Sequence, residues 1–104
     1  MNKLQLVTKE TDGGAILYLR GYLNESGGEM LERQVRNLLG AGPLSLVLDF
    51  SATAMVNSIG ISFLLEVIEA AQQKKTRLEF VRVPADIGEL FDLLGISSKV
   101  PIRP

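Results

Sequence analysis

Leu44-Ser45-Leu46-Val47-Leu48-Asp49-Phe50 is the stretch that decides the fold of this chain, together with Asn57-Ser58-Ile59-Gly60 a few residues later. Its nearly unbroken run of apolar residues predicts a strand in the centre of a sheet. We expect this strand to end near the carboxylate of Asp49. A short loop then leads to Ser58, at the expected N-terminus of an apolar helix that spans Ile61 to Lys74. In a mostly parallel sheet, the carboxyl ends of the strands form the edge where ligands and partners bind.

The rest of the sequence predicts strands and helices in alternation. Asp12-Gly13-Gly14 is a turn signal, so the first two strands are expected to be antiparallel, with Gly21 closing the second. Ser26 and Glu29 have the spacing of a capping box at the start of the first helix. The other expected elements are a strand around Leu4 to Val7, a strand from Ala15 to Arg20, a helix with apolar positions Met30, Leu31, Val35, Leu38 and Leu39, a strand from Arg77 to Val83, a helix from Pro84 to Leu94 and a short edge strand near Val100 and Ile102.

The order β-β-α-β-α-β-α favours an α/β fold. We expect residues 1–104 to form one domain, with a single mixed, mostly parallel sheet of four to five strands and three or more helices packed on it. In the second helix the polar residues fall in one arc of roughly 60°, at about 100° per residue. These residues are Ser62, Glu66, Glu69 and Gln73. The wide apolar remainder predicts that the helix is covered by both the sheet and a neighbouring helix, and the alternative is an exposed docking strip that includes Phe63, Val67 or Ala70.

Composition excludes several classes of function. The 104 residues contain no cysteine and no histidine, which removes thiol nucleophiles, imidazole bases and most transition-metal sites. The formal net charge of −1 gives no support for nucleic-acid binding. No segment approaches the roughly 20 apolar residues of a membrane span, and the run from Met1 to Leu6 is too short for a signal peptide. We therefore expect a cytoplasmic, non-catalytic protein with no cofactor and no direct membrane insertion.

Ser58 is the main candidate for a functional side chain. A serine just before a helix predicts an N-cap, typically worth ~1 kcal/mol. The same position suits a phosphorylation target, because a helix N-terminus favours negative charge by roughly 0.3–1 kcal/mol. Gly60 is expected to allow a close approach of another backbone. Asp49 is expected to cap the loop through the amide of Ser51 or Thr53, or to orient a hydroxyl, and no second acid or imidazole is near it in sequence.

Four segments resemble the STAS-domain family of bacterial anti-sigma factor antagonists, and the likeness extends over essentially the whole chain. They are Gly21-Tyr22-Leu23-Asn24, Leu46-Val47-Leu48-Asp49-Phe50-Ser51, Val56-Asn57-Ser58-Ile59-Gly60-Ile61 and Leu90-Phe91-Asp92-Leu93-Leu94-Gly95-Ile96. The third is similar to the family's apolar-Asp-Ser-Ser-Gly-apolar motif. Asn57 and Ile59 depart from that motif, and Asn24 stands where the family often has another aspartate.

The resemblance implies a phosphorylation cycle. The unphosphorylated protein would bind an anti-sigma factor, a serine kinase of the GHKL type, which then releases its sigma factor. The kinase would phosphorylate Ser58 with ATP and the pair would separate, and a PP2C-type phosphatase would restore the binding form. The residues expected to contact the partner are Asn24, Asp49, Ser51, Met55, Asn57, Ile59, Gly60, Ser62 and Phe63.

Two alternatives remain open at this stage. One is a STAS scaffold subunit of a signalling or transport complex that binds a constant partner and is never phosphorylated. The other is a small enzyme or ligand carrier that uses a pocket around Asp49, Asn57 and Ser58. The missing imidazole, thiol and second acid weigh against the enzyme, and neither a dinucleotide-binding nor a P-loop glycine pattern is present.

Overall fold

A computed structural model of the protein describes residues 3–104, and Met1 and Asn2, where the N-terminal run begins, lie outside them. The elements are β1 (Gln5–Thr11), β2 (Gly14–Leu23), α1 (Glu25–Leu39), β3 (Ser45–Val56), α2 (Ser58–Gln73), β4 (Arg77–Val81), α3 (Ala85–Leu93) and a 3-10 turn (Ile96–Ser98). The four strands lie in sequence order in one sheet. β1 is antiparallel to β2, and β2, β3 and β4 are parallel. The predicted α/β class with a mixed, mostly parallel sheet is confirmed.

The helices pack on one face of the sheet. Alternate residues of the central strands are fully buried there: Ala15, Leu17 and Leu19 on β2, and Leu46, Leu48 and Phe50 on β3. The side chain of Gln34 on α1 donates a hydrogen bond to Thr8 of β1 at 3.1 Å, on that same face. The rings of Phe50, Phe80 and Phe91 form a cluster with centroids 5.0 to 5.8 Å apart, which fixes α3 against β3 and β4.

Two strands are longer than the sequence predicts. β3 does not end near Asp49 but continues to Val56, and β2 does not close at Gly21 but continues to Leu23. The segment expected as a loop therefore pairs with the end of β2, as far as the partners Leu23 and Val56. Register shifts interrupt the ladder in two places, and Gly21 adopts φ 105° between them. The two errors have one cause, because the extra residues of β2 and β3 pair with each other.

Other boundaries need smaller corrections. β4 ends at Val81 rather than Val83, and α2 begins at Ser58 rather than Ile61. The expected edge strand near Val100 and Ile102 is present as a single parallel bridge between Phe80 and Ile102. Backbone hydrogen bonds between Phe80 and the segment Pro101 to Arg103 support it. This segment covers the outer edge of β4.

The prediction that α2 is covered on two sides is confirmed. Val67 and Ala70 are buried, so they do not belong to an exposed docking strip. Phe63 is half-buried and lies over Gly28 of α1, where an added Cβ would meet its ring. Met30, expected on the buried face of α1, is instead 39% exposed.

Candidate functional site

Two helix N-termini lie side by side at the carboxyl edge of the sheet. The last paired residues of the parallel strands β2 and β3 are Leu23 and Val56, and each strand passes directly into a helix. The backbone N–H of Asn57 donates to the carbonyl of Leu23 at 3.2 Å, which ties the two chain ends together. The first turns of α1 and α2 therefore share one surface. Each contributes the partial positive charge of a helix N-terminus.

An asparagine caps each helix. The side-chain oxygen of Asn57 accepts a hydrogen bond from the N–H of Gly60 at 2.8 Å, and that of Asn24 accepts one from the N–H of Gly27 at 3.1 Å. Two sequence predictions about these caps are wrong. The cap of α2 is Asn57 and not Ser58, and the cap of α1 is Asn24, without the expected capping box of Ser26 and Glu29.

Both errors arise because several neighbouring residues are good caps. The position at which each strand ends determines which of them caps the helix. Asn24-Glu25-Ser26-Gly27 and Asn57-Ser58-Ile59-Gly60 share the pattern Asn-x-x-Gly. This repeated spacing was present in the sequence and would have identified both caps. The glycine has the same role in each copy. An added Cβ would lie 2.7 Å from the carbonyl oxygen of Tyr22 at Gly27, and 2.1 Å from that of Leu23 at Gly60. The predicted close approach at Gly60 is confirmed.

Ser58 is the first residue of α2 and is exposed. Its backbone carbonyl accepts a hydrogen bond from the hydroxyl of Ser62 at 3.3 Å. Within residues 3–104 its own hydroxyl has no hydrogen-bond partner, because Asn57 performs the capping. The hydroxyl is therefore available for reaction, and a group attached to it would leave the cap intact.

The residues around Ser58 form a mixed polar and apolar surface. Ile59 is 45% exposed, and Ser62 is exposed one turn further along the outer side of α2. Met55, near the end of β3, is half-buried, and so is Phe63. We call this group, with the caps Asn24 and Asn57, the Ser58 surface. Its members lie where β2 and β3 lead into α1 and α2.

Asp49 and Ser51 do not join this surface. The β2 partners of Asp49 and Val56 are Tyr18 and Leu23, which are five strand residues, or about 17 Å, apart. The predicted pocket around Asp49, Asn57 and Ser58 is therefore wrong, because β3 continues where a loop was expected.

Asp49 instead forms an ion pair in which the carboxylate is buried and the Arg82 side chain is exposed. It is 4% exposed, and its carboxylate accepts hydrogen bonds from the N–H of Ser51 at 2.9 Å and from Arg82 Nε at 2.8 Å. Burial alone would raise the pKa of this carboxyl, but the Ser51 hydrogen bonds and the Arg82 guanidinium outweigh burial and lower the pKa below its ordinary value. Arg82 was missed because it lies just beyond the end of β4. No local sequence pattern could have found it, because its place beside Asp49 depends on the register that pairs Asp49 with Val81.

The described part of the chain contains no cluster of three acidic, cysteine or histidine residues that could hold a metal ion. The Ser58 surface has no acid or base within hydrogen-bond distance of the serine. What it offers is an exposed hydroxyl at a helix N-terminus, an environment in which a phosphate is electrostatically favoured. In residues 3–104 no helix is long and apolar enough to cross a membrane.

A family model described as the STAS domain matches residues 5–104. An anti-sigma factor antagonist from Mycobacterium paratuberculosis has a similar structure, with a TM-score of 0.86 at 20% identity over 98% of this chain and 86% of that chain. For the Bacillus cell fate determinant SpoIIAA in its phosphorylated form, the TM-score is 0.73 at 15% identity over 95% and 89% of the two chains. No curated protein matches the chain significantly.

A much larger protein contains the same fold. The murine anion transporter Solute Carrier 26 family member A9, solved in its inward-facing state, matches 100% of this chain with 21% of its own, at a TM-score of 0.77 and 15% identity. At these identities the similarity shows a common fold and nothing further. The fold therefore occurs both as a small separate protein and as part of a transporter.

Proposed function

The chain belongs to the STAS domain family, and from this premise we propose that it is an anti-sigma factor antagonist whose partner binding is switched off by phosphorylation of Ser58. The partner is an anti-sigma factor that is also a GHKL-type serine kinase. A PP2C-type phosphatase returns the protein to its binding form. The protein itself acts by binding and not by catalysis.

One observation carries this proposal: the helix is capped by Asn57, so the exposed hydroxyl of Ser58 has no structural task. A phosphate on that hydroxyl would meet the N-terminus of α2, where negative charge stabilises the helix by roughly 0.3–1 kcal/mol. It would also add about −1.5 to −2 charges to the Ser58 surface. The fold would tolerate this charge, whereas a partner bound against Ile59 and Phe63 would not.

The partner contact itself is proposed for the whole Ser58 surface. Ile59 supplies exposed apolar area, and Ser58 and Ser62 supply hydroxyls on the same side of α2. Gly60 acts indirectly, because its missing Cβ allows α2 to approach Leu23. Asp49 is left out of the contact, since it lies about 17 Å along the sheet, and Ser51 is left out because its N–H is bonded to the Asp49 carboxylate.

The experiment is phosphorylation by the cognate kinase and ATP, followed by intact-mass and fragment analysis. We expect one phosphate, on Ser58, and none on a Ser58→Ala variant. Phosphate on Ser51, Thr53 or Ser62 with Ser58 unmodified would contradict the assignment. The matched control is Ser97→Ala, which removes an exposed hydroxyl outside the Ser58 surface and is expected to leave incorporation unchanged.

The competing function is a STAS scaffold that holds a constant partner. Asn57 and Ile59 favour it, because both depart from the family's acceptor motif, and the transporter match shows the fold inside a larger assembly. Purification from the native cell with mass spectrometry separates the two. A co-purifying GHKL kinase supports the switch, while a membrane complex with unmodified Ser58 supports the scaffold.

A further inference from the structure

The sheet has a second face, which the helices leave uncovered. Its strand residues alternate with those of the core, and we call it the open face. Within residues 3–104 no helix lies on it. Val7 of β1 is 62% exposed, and the apolar residues beside it on the inner strands are only half-buried. These are Ile16 and Tyr18 on β2, Val47 on β3 and Val81 on β4. An apolar strip thus runs from Val7 across β2 to Val47, and Val81 lies beyond the Asp49 carboxylate.

The charges of the chain are divided between the two sides. Strand alternation places Lys9, Arg20, Arg77, Asp49 and Glu79 on the open face. Arg82 and Arg103 lie there because they form ion pairs with the two acids. The open face therefore carries five basic and two acidic residues. Its net charge is therefore +3. The chain as a whole has a net charge of −1 from 11 basic and 12 acidic residues, which leaves −4 for the remainder. The open face is therefore basic, whereas the rest of the protein is acidic.

The acids of the open face are already neutralised. Arg82 pairs with Asp49 at 2.8 Å and Arg103 pairs with Glu79 at 3.1 Å. Arg20, Arg77 and Lys9 form no ion pair with any residue from 3 to 104. A depression of about 350 Å³ lies between Arg77 and Arg103, with Val47 in its wall. Glu79 also lines it and is paired with Arg103, so Arg77 is the unpaired charge beside this apolar surface.

We propose that the open face binds an acidic, amphipathic segment of a partner protein. Apolar side chains of that segment would cover Ile16, Tyr18 and Val47, and its carboxylates would meet Arg20 and Arg77. Opposite charges at separate positions fix the register of such a contact and speed its formation. This binding surface is distinct from the Ser58 surface, so a partner held there would stay bound whether or not Ser58 is phosphorylated.

The pattern of charge favours a protein over other anionic ligands. Nucleic acid and anionic membranes present continuous negative charge, whereas the unpaired basic residues Arg20 and Arg77 lie apart on the open face, with apolar residues between them. A peptide with separated acidic residues matches that arrangement. A second copy of this chain would have to bring its acidic helix side to the open face, and such a head-to-tail contact leads to open-ended chains.

The test uses the full-length protein, labelled with ¹⁵N, and a synthetic peptide with leucine on one side of a helix and glutamate on the other. A peptide of the same composition in scrambled order is the control. We expect the patterned peptide to shift amide signals of β1 to β4, with the scrambled peptide at least tenfold weaker. Arg20→Glu with Arg77→Glu should weaken binding at least tenfold. Arg33→Glu with Lys74→Glu, a matched change of exposed residues on the helix side, should not.

Four results would overturn the proposal. The first is equal binding of both peptides, and the second is signal shifts confined to the helices. The third is tighter binding of a poly-thymidine oligonucleotide or of phosphatidylglycerol vesicles, lost in the Arg20→Glu, Arg77→Glu variant. The fourth is concentration-dependent self-association in sedimentation that the same variant abolishes, since the occupant would then be a second copy. Circular dichroism of each variant confirms that the fold is retained before binding is compared.

Discussion

Gly60 in the first turn of α2 lies against the carbonyl of Leu23 at the end of β2, so closely that a Cβ at position 60 would stand 2.1 Å from that oxygen. The obstacle is backbone and not the end of a flexible side chain. This contact sets the height of α2 over the sheet, and with it the position of Ser58 beside the first turn of α1. The glycine of the family-like motif is therefore explained by packing alone.

Gly60→Ala should destabilise the protein, because α2 or the end of β2 must move to admit the methyl group. Overpacking of this kind typically costs about 1–3 kcal/mol. The control is Gly88→Ala in α3, where the nearest atom to an added Cβ is 3.8 Å away. There the better helix propensity of alanine should stabilise by up to ~1 kcal/mol. Urea unfolding of both variants measures the difference, and equal effects would show that the contact at Leu23 is easily relieved.

Asn57→Ala should lower the free energy of unfolding by about 0.5–2 kcal/mol, since it removes the side chain that accepts from the Gly60 amide. Ser58→Ala should stay within about ±0.5 kcal/mol, because the Ser58 hydroxyl stabilises nothing that the structure describes. The pair is adjacent in sequence, so each variant is the control for the other. If Ser58→Ala were the more damaging change, the serine would be the cap after all.

Arg82→Gln should lower the free energy of unfolding near pH 7 and make that free energy depend less on pH in acid. The lowered pKa of Asp49 means that its contribution to stability is present above the unfolded pKa of about 3.9 and is lost as the pH falls through the lower, folded value. Without the guanidinium the folded pKa of Asp49 lies closer to its unfolded value, so less stability is present at pH 7 and less is lost on acidification. Unfolding free energies measured from about pH 7 down to pH 3 should show the variant below the unsubstituted protein at pH 7 and the two curves converging as the pH falls. Arg77→Gln removes an unpaired exposed arginine and should leave the pH dependence of the unfolding free energy unchanged.

The sequence predicted the sheet, the helices and the serine because these follow from local patterns. The apolar run around Leu48, the wide apolar arc of α2 and the turn at Gly13 each act over a few residues. It failed at the ends of β2 and β3, where Thr53 and its polar or small neighbours give no strand pattern of their own. That segment is a strand only because β2 continues beside it, and Thr53 is buried with its hydroxyl donating to the Leu19 carbonyl at 2.8 Å.

The ion pair of Asp49 could not be found from the sequence for a related reason. Its position opposite Val81 depends on the register between β3 and β4, which no local pattern records. Arg82 also adopts φ 50°, a left-handed conformation that non-glycine residues rarely take. The placement of Ser58, in contrast, depended only on a strand followed by a helix. Its predicted position at the N-terminus of α2 is confirmed despite the error in the strand end.

Phosphorylation of Ser58 should preserve the helix and weaken the partner complex. The phosphate meets the favourable end of the α2 dipole, and the Asn57 cap remains in place. Far-ultraviolet circular dichroism of the modified protein should be unchanged, while affinity for the anti-sigma factor falls at least tenfold, or about 1.4 kcal/mol. A large loss of helicity would mean that the switch acts by melting α2. Ser58→Asp is a partial mimic, and its weaker charge should give a smaller loss of affinity.

Asn57→Asp should raise the rate of Ser58 phosphorylation without disturbing the fold. Aspartate keeps the oxygen that accepts from the Gly60 amide, and its charge at the N-cap adds roughly 0.3–1 kcal/mol to helix stability. It also restores the negative charge that the family's motif places beside the acceptor serine. The measurement is the initial rate of phosphate incorporation for both proteins at matched protein and ATP concentrations.

Asn24→Asp makes the same change at the cap of α1 and tests whether charge anywhere near the two helix N-termini is sufficient. An unchanged rate for Asn57→Asp would mean that the kinase recognises other features of the Ser58 surface, and a slower rate would mean that it has adapted to asparagine at this position.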